Sequence, residues 1–497
     1  MNTSTDNHPP QALPFRRTGL LHFGIGLAAF ALLGLASFRV FGSEWMFLAV
    51  MTLPAFAWIA LKSITYPGWT APAVVAAAYL GGVFYAAENS AIPLTPFQLI
   101  YIPSLALFLL HKLFRGDPVI KLTGIEKWVA AFLAILFFSL IYSDNQVEGL
   151  FHIVRFLVLC TLVIYLINTL QTRRELTVLL GVAVVIATVL AAASAITTIL
   201  NPEIAAMNFL FAGQRFAGRA AIGDSDPNFF ATTFFLPIML TAAAAHSENL
   251  SLQIRSAAVI LLVILLAGLV STYSRSSWVS VILGGVIIVL YYRNFKLAAL
   301  GIAAFALLLI FSPGLRVALT SVFIRFLDIF SGSSEESAGM RIVLGLAALK
   351  MFFDSYGLGV GFESFSSTFD RINETYGMFG VNEPHNIVYQ ILAETGVAGI
   401  LIFLGLMGII IRVAWHTVQK SKIHPNPWYE VIAVSLLCTF LAYFLFHQFI
   451  PRFLTNNTMM ITIALIFLMA HDGDRLFGQN TPNKQDHRIS STGLGYT

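Results

Sequence analysis

The chain has 497 residues, of which 57% are hydrophobic and 11% charged, with a formal net charge of +4. A soluble domain carries about a quarter charged residues, so this composition excludes a water-soluble globule and requires lipid as the solvent for most of the chain. The small net charge excludes the basic footprint of a nucleic-acid binder.

In chain order, the opening MNTSTDNHPPQALPFRR is polar, and the apolar run behind it has no small-residue cleavage site. Residues 1–18 therefore read as a cytoplasmic tail rather than a signal peptide. A helix of roughly 20 apolar residues crosses a bilayer. Spans are expected near Leu20–Phe38, Trp45–Leu61, Ala71–Ala87, Phe97–Leu110, Trp128–Tyr142, Leu150–Leu170 and Leu176–Leu200. More follow near Pro227–Ala245, Ala257–Val270, Val279–Tyr292, Leu297–Phe311, Val397–Trp415, Val431–Ile450 and Met459–Ala470. Cys160 and Cys438 both sit inside apolar runs and support neither a disulfide framework nor a metal site. No cofactor is implied.

Alternate connections hold most of the 29 Lys and Arg, whereas ENSAIPLTP and SDNQVEG hold none. The positive-inside rule then places both termini in the cytoplasm. The expected fold is an all-α integral membrane protein with about 14 transmembrane helices over 19–470. Loops on the non-cytoplasmic side are expected at 201–226 and 313–385, the latter long enough to carry short helices, and 471–497 reads as a disordered cytoplasmic tail. Within the long loop, Met340–Phe353 is helical in character but short for a span. That suits a helix in the membrane interface, with Arg341 and Lys350 reaching toward headgroups.

Several outside segments carry chemistry. In Arg215–Ala231, Asp226 suits a helix cap and Pro227 the first turn, while Arg215, Arg219, Gly218 and Gly223 lie just ahead. A helix start with guanidinium groups can hold a phosphate or diphosphate; equally, it is a capped turn whose arginines touch headgroups. In STYSRSSW, Arg275 sits between two spans on the side where cations are scarce, so it reads either as snorkelling or as facing the protein interior. In Glu383–Leu401, His385 and Asn386 open an apolar helical run with Glu394 further along. An imidazole there can take a proton from a hydroxyl, although a lone boundary histidine is more often paired with water or a neighbour such as Glu383. Arg341 can join an anion site, and Gly357, Gly359 and Gly361 form a flexible turn ahead of Phe362 and Phe365, which either stack on sugars or anchor the loop. His152 and Arg155 share a helical face inside a span and read as a buried polar contact.

Taken together, these segments resemble the O-antigen ligase and O-antigen polymerase superfamily of bacterial inner-membrane proteins. The ligase branch has a His–Asn/Ser/Gln pair, nine residues, Gly, two residues, then Gly, Thr or Tyr; here His385-Asn386 is followed at those spacings by Gly396 and Gly399. The Asp226–Asn228 helix start, Ser274-Arg275, and Arg341 with Gly357–Gly361 also look like family features, so the resemblance covers Gly213 to Leu401. It implies a metal-independent inverting glycosyltransferase acting at the periplasmic face. The donor would be a glycan on undecaprenyl diphosphate and the acceptor either lipid A-core or another lipid-linked glycan. By the resemblance, Arg275 and either Arg215 or Arg219 bind the diphosphate, and His385 sits at the acceptor hydroxyl. The extra spans and the long loop keep an exopolysaccharide polymerase beside the ligase.

A polytopic transporter or lipid-linked glycan flippase has a similar number of spans. Such proteins place broken helices and ionisable groups near the midplane, whereas the polar groups here gather in outside loops. An inactive assembly partner is a third reading.

Overall fold

The computed structural model describes residues 68, 70–80, 96–114, 119–200, 226–301, 303, 336–373, 383–451 and 453–478. They form helices and connecting turns, with no strand among them. The helices are α1 (Ala71–Leu80), α2 (Pro96–Phe114), α3 (Glu126–Leu140), α4 (Gln146–Thr169), α5 (Arg173–Leu200), α6 (Pro227–Thr232) and α7 (Phe235–His246). They continue as α8 (Leu252–Ser271), α9 (Arg275–Tyr292), α10 (Glu336–Asp354), α11 (Phe365–Asn373), α12 (Ile387–Ser421), α13 (Pro427–Phe446) and α14 (Asn457–Phe477).

The protein is a multi-pass membrane protein: among the described residues, 7 helices are long and apolar enough to cross a bilayer. These are α4, α5, α6 with α7 as one stack, α8, α9, α12 and α13. Each falls on an expected span. The expected spans at Leu20–Phe38 and Trp45–Leu61, and most of Leu297–Phe311, lie outside the described residues. α3 is 15 residues long, and α14 carries Asp472, Asp474 and Arg475 in its last turns; both pack among the spans.

Burial sorts the helices. α7 and α13 are covered along almost their whole length and form the centre of the core. Their sequences are apolar all round, as a helix with no polar surroundings must be. α8 and α9 turn Ile260, Val263, Ile282 and Leu290 outward, where lipid is the only compatible neighbour. Small residues set the spacing: Gly268 of α8 lies against Ala191 of α5, and Gly284 of α9 against Met239 of α7, with no room for a Cβ.

Polar contacts gather at two opposite ends. At one, the Lys121 ammonium reaches Asp472 at 3.0 Å, Arg475 shares that carboxylate at 3.0 Å, and Lys420 meets Asp474 at 2.6 Å. There too the Tyr291 hydroxyl donates to Glu430 at 2.8 Å. The other end joins the α3–α4 turn to the 357–371 segment. Ser143 Oγ donates to the Phe362 carbonyl (2.6 Å), Asn145 to the Glu363 carbonyl (2.8 Å), and Arg371 meets Asp144 at 2.5 Å. Connections read as lying on one side of the membrane thus contact one another.

α12 is interrupted at Gly396 (φ 67°, ψ −159°). A break in a lipid-facing helix strands main-chain groups that water cannot reach, and here the 357–361 turn takes them up. Val360 N–H donates to the Ala393 carbonyl (2.8 Å), Gly361 N–H to that of Glu394 (3.0 Å), and Val397 N–H to that of Gly357 (3.0 Å). A Cβ on Gly396 would strike the Gly357 carbonyl, and one on Gly359 the backbone of Glu394. Gly396→Ala is expected to cost about 1–3 kcal/mol from the positive φ alone, with the collision added. A lowered thermal unfolding midpoint in detergent is the expected result, and an unchanged midpoint would dismiss the clasp.

Candidate functional site

Asp226, Pro227 and Asn228 open α6 as their chemistry requires. The Asp226 carboxylate accepts the Asn228 N–H at 2.8 Å and its side-chain amide at 3.0 Å, and Pro227 occupies the first turn, where its missing N–H costs nothing. The Asn228 side-chain oxygen Oδ1 then accepts the Ser274 hydroxyl at 2.8 Å. Ser277 Oγ lies 2.8 Å from Ser274 Oγ, and both serines are fully buried. This chain ties the α6 start to the residue beside Arg275, across 46 positions of sequence.

Arg275 is the first residue of α9 and is half-buried. A cation at a helix N-terminus opposes the helix dipole. Guanidinium and helix start therefore both favour negative charge at this point. Tyr273, just before it, takes a positive φ of 51°, a conformation few non-glycine residues adopt. Burial pushes its phenol above the usual range, so it stays a protonated donor.

His385 also has a positive φ of 51° and is half-buried at the head of α12. Asn386 caps that helix, its side-chain oxygen accepting the Val388 and Tyr389 amides at 2.9 and 3.1 Å. The Ile387 amide donates to the His447 carbonyl at 3.0 Å. The first three amides of α12 are thus engaged within the protein, which leaves anion binding at this end to side chains.

The element that joins these parts is the C-terminal end of α13, which sequence reasoning missed. The Phe446 ring meets Phe229 of α6, centroids 6.3 Å apart. The His447 carbonyl holds the start of α12, and the Arg341 guanidinium lies 5.9 Å from the Phe449 ring centroid. Tyr443 OH donates to the Thr232 carbonyl at 3.0 Å, at the break between α6 and α7. The segments carrying Asp226, Asn228, Arg275, Arg341, His385 and Asn386 are in this way gathered around one helix end. A histidine closing an apolar run was the one signal in the sequence.

Other expected residues fall differently. Glu394 is buried at 1% exposure, and its carboxylate accepts the Phe365 amide at 3.3 Å and the Gln390 side chain at 3.4 Å. Its partners lie at the start of α11 and in its own helix. Phe362 and Phe365 are buried as well, Phe365 stacking on Phe369, so the aromatics anchor the loop and offer no face to a sugar. The 357–361 turn, expected to be flexible, is held by the hydrogen bonds of the clasp. His152 pairs with Glu363 across 211 positions at 2.5 Å, which replaces the expected His152–Arg155 contact with a tie between α4 and the loop. Arg215, Arg219, Gly218 and Gly223 lie outside the described residues.

A family model described as O-antigen ligase matches residues 260–404. The match supports the superfamily read from the motifs, and it contains Arg275, Arg341, His385, Asn386 and Glu394 but not the α6 start. None of the curated proteins compared with the chain matches it.

The Asn228–Ser274 bond links α6 to the residue beside Arg275. In a double-mutant cycle, Asn228→Ala and Ser274→Ala are expected to be non-additive by about 1 kcal/mol in unfolding free energy. Strict additivity would remove the link.

Proposed function

We propose, with the O-antigen ligase superfamily match as premise, that this protein moves a glycan from a polyprenyl diphosphate to an acceptor hydroxyl at the membrane end bearing Arg275 and His385. The observation that carries this reading is the gathering of the α6 start, Ser274-Arg275, Arg341 and His385-Asn386 around the end of α13. The resemblance supplies undecaprenyl as the polyprenyl and the periplasmic side of a bacterial inner membrane as the working face.

In the proposed mechanism, Arg275 and one of Arg215 and Arg219 grip the donor diphosphate, with Arg341 as a further cation. Guanidinium groups match phosphate oxygens in paired hydrogen bonds. They neutralise the charge that grows on the diphosphate as its bond to the anomeric carbon breaks. On the opposite face of that carbon the acceptor oxygen forms the new bond, giving inversion. His385 takes the hydroxyl proton, and the diphosphate leaves with the electron pair of the broken bond. The Asp226–Asn228–Ser274 chain holds Arg275 in place, and Asn386 fixes the backbone that presents His385. No step in this scheme calls on a metal or cofactor. The acceptor is lipid A-core in a ligase and a second lipid-linked glycan in a polymerase.

Purified protein in proteoliposomes, supplied with lipid-linked glycan and acceptor on one face, tests this directly. His385→Ala and Arg275→Ala, each expressed and folded normally, are expected to lose roughly 100-fold or more of transfer. Arg275→Lys should recover only part, because it keeps the charge and loses the paired geometry. Wild-type transfer in both alanine variants would overturn the assignment. Glycan crossing the bilayer without changing its covalent partner would instead indicate a flippase.

A further inference from the structure

α10 is apolar on two opposite sides. One side, Leu344, Ala347, Ala348 and Met351, is buried with Phe365, Phe369 and Ala393, against α11 and the first segment of α12. The other side carries Ile342, Leu346 and Phe353, at helical spacings of four and seven, and each is more than 60% exposed. Beyond the helix end the row continues through Tyr356, 95% exposed, and Leu358, 65% exposed. A helix that is apolar all round is buried in protein or in lipid, and no element of the described residues covers this side.

The position of α10 says which. The turn beyond its end is tied to a helix packed among the spans: the Tyr142 hydroxyl, just past α3, donates to the Leu358 carbonyl at 3.1 Å. The exposed apolar residues Phe138 and Ile141 of the α3 end, and Val397 and Leu401 of α12 just past its break, flank that tie. The outer row of α10 is therefore continuous with the lipid-facing surface of two neighbouring helices. Its charged members sit at the margins, Lys350 paired to Asp354 at 2.7 Å and Arg341 at the other end over Phe449. Tyr356 at the tip has the amphipathic ring typical of a membrane–water boundary.

We infer that α10 is an interfacial helix whose outer row, Ile342, Leu346 and Phe353 with Tyr356 and Leu358, is inserted among the acyl chains of the bilayer leaflet at the Arg275 end. The occupant of this face is bulk membrane lipid. Because its other side packs on Ala393, one residue before the clasped carbonyl of Glu394, the leaflet supports from outside the helix segment that carries His385.

The test uses full-length protein with Cys160→Ser, which removes the partly exposed thiol and leaves the buried Cys438. Single cysteines replace Leu346, Phe353 and, as a water-exposed control, Asp370. Each is labelled with bimane, and the protein is placed in phosphatidylcholine nanodiscs free of polyprenyl lipid. Doxyl-labelled phosphatidylcholine is expected to remove most of the fluorescence at 346 and 353 while iodide leaves it intact, with the reverse at 370. Quenching of 346 and 353 by iodide would overturn the inference. So would a lack of quenching by doxyl lipid, whether or not added polyprenyl phosphate changes the signal, since the row would then be covered by something other than bulk lipid. If Leu346→Cys fails to elute as the parent does, Ile342→Cys reads the same row.

Discussion

The arrangement at the Arg275 end depends on a main-chain exchange. Once α12 breaks at Gly396, the carbonyls of Ala393 and Glu394 and the amide of Val397 have lost their helical partners, and lipid offers none. The 357–361 turn returns all three hydrogen bonds. The requirement runs both ways: the turn needs glycine where it touches α12, and α12 needs glycine where it meets the turn. A loop that composition describes as pliant is made rigid by what it has to satisfy.

The clasp also explains how distant pieces come to lie together. The turn fixes the segment of α12 that begins at His385, and on its far side it is fixed by α4, through His152 and Glu363, and by the α3–α4 turn, through Ser143 and Asn145. From the opposite direction the end of α13 holds the same segment through the His447 carbonyl and carries Phe446 onto α6. The His385 segment is thus positioned from two sides by contacts that do not use its own side chain. Its cap, Asn386, consumes two amides and His447 a third, so what this end offers to an anion is guanidinium and not main chain.

The helices were legible because lipid imposes one rule on every span: apolar composition over a set length. The cap at Asp226 and the helix opening at His385-Asn386 were legible because helix starts are local, with partners two or three residues away. Their spacing to Arg275 or His447 was not, since a hydroxyl at Ser274 chooses Asn228 only after α6 and α9 are packed. The same limit hid the partner of His152, which a helical repeat paired with Arg155 and the fold pairs with Glu363. Phe362 and Phe365 show a second kind of limit. Their chemistry suits stacking on a sugar or filling a core, and only packing decides for the core: Phe365 lies with α10, and Phe362 joins the main bundle core. The break between α6 and α7 left no mark in hydropathy, because the residues from Thr232 to Phe235 that span it are as buried as a continuous helix would make them.

The carboxylate of Asp472, shared by Lys121 and Arg475, lies in the last two turns of α14, well past the apolar part of that helix. Lys121 in turn exchanges two main-chain hydrogen bonds with the Asn168 side chain at the end of α4. A shortened version cut at the end of the apolar stretch, where hydropathy alone would put the domain boundary, would remove Asp472 and release the α2–α3 connection from α14, leaving the Asn168 contacts of α4 to hold it. A reporter or affinity handle belongs after Gly478, beyond the final charged turn.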